Sequence, residues 1–221
     1  NTKWYSDLDP ETDDERFIYS EARYDVEAVT AAVSGLNKRV MAKNDSSWVY
    51  TATVSPGEIY RYRLRFMNSY TANAKDMVLY DSLENYGVTD GAEKGTSEWH
   101  GTLQAVDVSQ PKSKGILPVV YISTKAALRL DDVENRDLTN TEIWQKVTDK
   151  TDLSKAAAIA VDLRSQESGK DYILPAGESV TVGLYMKAPE TGVSSTEKKY
   201  PETWNNVYIS NTQTDIEGVE N

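Results

Sequence analysis

An all-β fold, an antiparallel sandwich, is what this sequence predicts, and three observations carry the prediction. The aromatic residues are 14 Tyr and 5 Trp against only 2 Phe, a bias toward rings that pack on a half-buried pleat and keep a polar tip wet. Apolar and polar residues alternate with period two over short stretches, as strands with one solvated face require. Turn-forming clusters such as Pro175-Ala176-Gly177-Glu178 separate these stretches. A chain of 221 residues, 39% hydrophobic, is long enough to bury a core. Its mean hydropathy of −0.58 fits a thin sandwich with solvated outer faces.

The elements follow in chain order. Residues 7–15 (DLDPETDDE) read as a solvated acidic linker, since they lack the glycine and ligand spacing of an EF-hand loop. Residues 16–33 carry Tyr24, Val26 and Ala28 at period two and read as one or two strands. Residues 1–34 are therefore expected to be a linker plus leading strands, or the tail of a preceding module, and 35–221 a single large sandwich domain. In 59–66 (IYRYRLRF), Tyr60, Tyr62, Leu64 and Phe66 share one face while Arg61, Arg63 and Arg65 share the other. In 180–186, Val180, Val182, Leu184 and Met186 point inward. Further strands are predicted at 36–42, 47–54, 76–82, 101–106, 116–123, 157–162 and 205–210. Strands of this length and spacing predict an Ig-like sandwich. One short helical insertion is expected near 139–147 (TNTEIWQKV), where Thr139 or Asn140 can cap and Glu142 falls in the first turn.

Composition excludes several classes of function. The net charge of −11 repels phosphate backbones and anionic lipid, so no nucleic-acid partner is expected. The chain has no Cys and one histidine, His100. Thiolate chemistry and disulfides are impossible, and imidazole triads and His-rich metal sites are disfavoured. No cofactor and no metal are expected. No run of 18 apolar residues exists, so no membrane span is expected in this segment, and residues 1–9 lack the features of a signal peptide. Carboxylates such as Asp131, Asp132 and Glu134 are abundant, but so charged a loop reads as solvated and not as a two-carboxylate glycosidase site. His100, before a strand, reads as a turn or edge residue.

Three polar residues interrupt apolar strand faces. Lys38 shares a face with Leu36, Val40 and Ala42; Asp81 with Met77, Leu79 and Leu83; Asn205 with Val207 and Ile209. Burying them separately costs several kcal/mol for each charge and about 1 kcal/mol or more for the amide. Burying them together makes chemistry available. Desolvation favours a neutral lysine amine and a protonated aspartic acid, and the pair can condense Lys38 with Asn205, Asp81 moving the protons. An ordinary buried Lys–Asp pair, with Asn205 at a turn, is the alternative arrangement. Glu58 is the alternative acid, and Asn206 the alternative amide if a bulge shifts the register.

The order LNKRV, VSPGEIYRYRLRFMN, DMVLYDSLEN resembles the repeated β-sandwich domains of Gram-positive, cell-wall-anchored surface adhesins and pilin-like stalk proteins, of collagen-adhesin type. The segments EWHGTLQAVDVSQPKSKGILPVVYIS, KAAAIAVDLRSQESGKDYILPAGESVTVGLYMKAP and TWNNVYIS extend the resemblance over residues 28–211. The resemblance implies a Lys–Asn isopeptide crosslink assisted by an acid, and residue by residue it points to Lys38, Asp81 and Asn205. The Asn205-Asn206 doublet and the Ser-Leu-Glu-Asn loop after Asp81 depart from that pattern. The expected function is a structural stalk or spacer module, not an enzyme beyond a single self-crosslinking turnover. The resemblance implies an extracellular location, anchored to the cell wall through parts outside this segment, with neighbouring domains of a longer protein as partners. The alternative is a module binding host glycan or matrix protein through exposed Trp and Tyr, drawn from Trp4, Trp48, Trp99, Trp144 and Trp204.

Overall fold

The computed structural model describes residues 18–22, 35–84, 97–126, 128–191 and 201–214. The acidic run at 7–15, Tyr24, Val26, Ala28 and Trp4 lie outside the described residues. The described residues form twelve strands: β1 (Ile18–Ala22), β2 (Leu36–Met41), β3 (Thr51–Val54), β4 (Ile59–Met67), β5 (Asn73–Asp81), β6 (Thr102–Asp107), β7 (Val119–Ser123), β8 (Gln145–Lys146), β9 (Ala158–Asp162), β10 (Ser179–Lys187), β11 (Glu202–Asn205) and β12 (Val207–Thr214). They form a four-stranded sheet, β2-β4-β10-β6, and a five-stranded sheet, β12-β5-β9-β7-β8, both antiparallel. A small third sheet, β11-β1-β3, runs β1 parallel to β11 and antiparallel to β3. The protein is an all-β sandwich.

The alternation read from sequence sets the four-stranded sheet. In β4 and β10, Tyr60, Tyr62, Leu64, Phe66, Val180, Val182, Leu184 and Met186 are all buried, while Arg61 and Arg63 stand on the opposite face, half-buried. Their inner faces pack with Met77, Leu79, Ile159 and Val161 of the five-stranded sheet in the main core. The outer face of that second sheet is also covered. Val78, Tyr80, Ala158, Ala160 and Tyr208 pack under Leu128, Leu130 and Trp144 in a smaller cluster. Burial on both faces explains why β5 and β9 read as continuous apolar runs instead of alternating ones.

The helical insertion exists, but not where the sequence placed it. The one α-helix of the described residues is α1 (Ser109–Ser113), following β6. Residues 139–147 make a single turn, with Trp144 N–H donating to the Asn140 carbonyl and Asn140 Oδ1 accepting from Glu142 N–H. The turn stops there because Gln145 and Lys146 pair with β7 as β8. Trp144, buried with its indole N–H donating to the Asn135 carbonyl, fixes the segment as a cover over the second sheet. Tertiary pairing overrides a plausible cap.

Candidate functional site

The three strand-face exceptions come from three different sheets. Lys38 is the third residue of β2, Asp81 ends β5, and Asn205 ends β11. Each is 0% exposed. β12 pairs with β5 so that Val207 lies opposite Asp81, which sets Asn205 just beyond the end of that ladder. Asn206 separates β11 from β12, and its carbonyl accepts from Ser82 N–H.

Lys38 Nζ donates to Asp81 Oδ2 at 2.5 Å across the core, and the Tyr62 ring lies 4.4 Å from the same nitrogen. Asp81 Oδ1 accepts from Leu83 N–H at 2.9 Å, so the carboxyl also fixes the turn that follows. Burial pushes the lysine below its ordinary pKa, more strongly than the Asp81 charge raises it. Burial likewise pushes Asp81 above the usual carboxylate range, although Lys38 and the Leu83 amide oppose it. Both shifts favour the neutral pair, amine beside acid.

The Asn205 carboxamide is close enough to help hold the Asp81 carboxylate, yet neither Oδ1 nor Nδ2 reaches hydrogen-bond geometry with a partner. A fully buried amide with both atoms unsatisfied costs about 1–3 kcal/mol per group. Such a group marks either strain or chemistry. Asn206 is also buried, so both residues of the doublet face the interior.

Glu58, the alternative acid, is elsewhere. It sits in the turn before β4, where its carboxylate accepts from Lys43 N–H and Ser55 N–H, a local turn role that leaves the core pocket to other acids. The second buried acid is Glu84, which the strand faces did not single out. Its Oε1 accepts from the Tyr60 and Tyr62 hydroxyls at 2.7 and 2.6 Å, and its Oε2 from Gly101 N–H at 2.7 Å. Burial raises its pKa against these donors. A period-two count carries Glu84 to the outer face. The backbone instead turns left-handed at Leu83 and Glu84, with φ of 48° and 70°, which swings the carboxylate inward. A sequence signal for it did exist: Tyr60 and Tyr62 both point into the core, and buried phenol hydroxyls need an acceptor. Gly101 is required here, since a Cβ would stand 2.1 Å from the Tyr60 hydroxyl.

Glu84 provides a direct test of which acid matters. Replacing Glu84 with Gln turns an amide NH2 toward one of the three donors, and is expected to cost about 1–3 kcal/mol, read as a lower melting temperature. Its hydrogen bonds are to Tyr60, Tyr62 and Gly101, and its charge only raises the Lys38 pKa; removing that charge favours the neutral amine, so any condensation of Lys38 with Asn205 should still proceed in this variant, as read by intact mass.

The remaining candidates have structural roles. Asp131 pairs with Arg129 at 2.6 Å and Asp132 accepts from Glu134 N–H at the start of a 3-10 turn. His100 Nδ1 contacts the Glu84 carbonyl at 2.9 Å, latching the loop that carries the acid. Trp99, Trp144 and Trp204 are buried; Trp48 is half-exposed. Among the described residues no group of acidic or imidazole side chains could hold a metal ion, and no helix is long and apolar enough to cross a membrane.

Fold and site together define an all-β sandwich whose sheets meet at a buried Lys–Asp–Asn cluster. No family model matches the chain, and no curated protein matches it. Among solved structures it is similar to AvmM, described as catalysing macrocyclization in alchivemycin A biosynthesis, at 10% identity over 82% of this chain and 89% of that one, with a TM-score of 0.25. At that level the likeness carries no argument about activity.

Proposed function

We propose that this chain is a structural stalk module of a bacterial surface adhesin, locked by an isopeptide bond that it forms itself between Lys38 and Asn205. Its partners are then the neighbouring domains of a longer surface protein. The observation that carries this reading is the fully buried Lys38–Asp81 contact beside an Asn205 amide with no hydrogen-bond partner. The residues needed for amide exchange are together, and water is excluded from them.

In the reaction, the neutral Lys38 Nζ attacks the Asn205 Cγ. Protonated Asp81 donates a hydrogen bond to the amide oxygen, polarising the carbonyl. As the C–N bond forms, Asp81 takes the proton that Nζ sheds and returns one to the departing nitrogen, which leaves as ammonia. One C–N bond forms and one breaks, with no oxidant or activating group. Folding holds the reactants in place, so proximity supplies most of the acceleration. The Asn205 Nδ2 that lacks a partner is the atom that leaves.

Intact-mass spectrometry tests this directly. The expected mass is one ammonia below the value calculated from the sequence, and Asp81→Asn, which keeps the shape but cannot carry the proton, should restore the calculated mass. A wild-type mass equal to the calculated one rejects the crosslink. A persistent deficit in Asp81→Asn reassigns the acid.

A further inference from the structure

The outer face of the four-stranded sheet carries a feature that the crosslink does not use. One rung across its four strands reads Arg39, Arg63, Gly183, Asp107, and the next reads Met41, Arg61, Tyr185, Ala105. Arg39 and Arg63 are direct cross-strand neighbours, an arrangement that like charges disfavour. In a chain with 35 acidic against 24 basic residues, carboxylates for Arg61 and Arg63 would be easy to supply. Yet among the described residues Arg61, Arg63 and Arg65 join no ion pair, while Arg129 and Arg164 do. Arg63 Nε is shielded from solvent and lacks a hydrogen-bond partner. Its pKa is lowered by burial and by the nearby Arg65 and Arg39 charges. Among the described residues Arg61 and Arg63 thus stand without a carboxylate partner, although Asp107 closes the same rung as Arg63.

The face is also shaped. Gly183 leaves a gap where the neighbouring outward positions of β10 carry Thr181 and Tyr185, and a depression of about 120 Å³ opens there, lined by Trp48, Arg61, Arg63, Asp107, Gln110 and Tyr185 among others. A Cβ at Gly183 would come within 3.2 Å of the Asp107 Cβ. Trp48 forms one wall, its ring 5.6 Å from the Arg61 guanidinium and 5.0 Å from that of Arg63. The Tyr185 ring lies 5.9 Å from Arg61 on β10.

We propose that this pocket binds an acidic sugar residue, its carboxylate taken by Arg61 and Arg63 and its ring laid against Trp48. A guanidinium pair matches a carboxylate, and an aromatic wall with a few polar groups is the usual make-up of a small-ligand site. Asp107 favours a sugar over an acidic peptide. Its carboxylate can accept from hydroxyl groups and repels a run of carboxylates, while Gln110 is held in the wall by Thr181 N–H and the Ser179 carbonyl. β4 and β10 are the two central strands of their sheet, so the pocket offers no free strand edge for peptide addition. The site is remote in role from Lys38 and stands whether or not the crosslink forms.

The test uses the full chain and isothermal titration calorimetry with hyaluronan hexasaccharide, oligogalacturonate and sialyllactose, against neutral cellohexaose and an oligoglutamate peptide. At least one carboxylated saccharide should bind, and cellohexaose should not. Arg63→Gln and Trp48→Ala should each weaken binding about tenfold or more. Arg63→Gln should leave the ligand-free melting temperature unchanged or higher, since it removes a charge facing Arg39. No binding across the three carboxylated saccharides, tighter binding of oligoglutamate, or unchanged affinity in both variants would each overturn the proposal.

Discussion

Replacing Asn205 with Ala is expected to return the chain to its calculated mass and lower its melting temperature by about 10–20 °C. The crosslink would close a loop of roughly 170 residues, for which the loop-entropy account of covalent bridges gives about 5 kcal/mol. At this chain length each kcal/mol moves the melting point by about 2–4 °C. The variant keeps Lys38 as a free amine facing Asp81, and this gives the loss a pH signature. Burial lowers the Lys38 pKa, so between that lowered value and the ordinary lysine value the folded variant holds fewer protons than the unfolded one. Its stability therefore rises with pH through that window, is fully present above it, and is lost as pH falls through the lowered value. Asp81, raised by burial, works in the other direction: its contribution is present below the ordinary carboxylate range and lost as pH rises through the raised value. The variant should thus have a stability trough between the two. In the crosslinked protein Lys38 is an amide and does not titrate, so its alkaline recovery disappears and the gap between the two proteins narrows toward high pH. Melting curves at stepped pH measure this. A parallel pair of curves would mean that Lys38 titrates identically in both, contrary to a crosslink.

Under force the difference is larger still. If a single molecule is pulled from its two ends, the wild type should show no extension from the segment between Lys38 and Asn205, because the load passes through the amide bond and around the intervening strands. Asn205→Ala should release that segment, about 170 residues at about 3.3–3.6 Å each, or roughly 550–600 Å of added contour length. The shielded segment includes every strand of the four-stranded sheet beyond the first half of β2, and all of the second sheet except β12. Only the chain before Lys38 and the chain after Asn205, β12 included, lie outside it. A force trace of the wild type containing the long release would exclude a load-bearing bond between these residues, whatever the mass spectrum showed.

Much of the fold was legible because strand alternation is local. The inward rows of β4 and β10 were readable residue by residue, and so was the odd placement of Lys38 among Leu36, Val40 and Ala42. The same count set Asp81 inward, and Asn205 is buried as expected, but the expected strand at 205–210 is broken at Asn206, which is buried too. It failed where the backbone leaves the strand. The left-handed turn at Leu83 and Glu84 reverses the expected direction of Glu84, and the pairing of β8 with β7 stops the turn at 139–144 from growing into a helix.

By itself, then, the sequence determined a Cys-free, acidic, tyrosine-rich sandwich and the faces on which three polar residues stand, because pleat and period are properties of neighbouring residues. Tertiary structure alone decided that those three residues meet, that Glu84 and not Glu58 is the second acid in the core, and that the arginine row faces a gap at Gly183. Each of these depends on which strands lie side by side and in what register. Register is set by packing between segments far apart in the chain, which no local pattern contains.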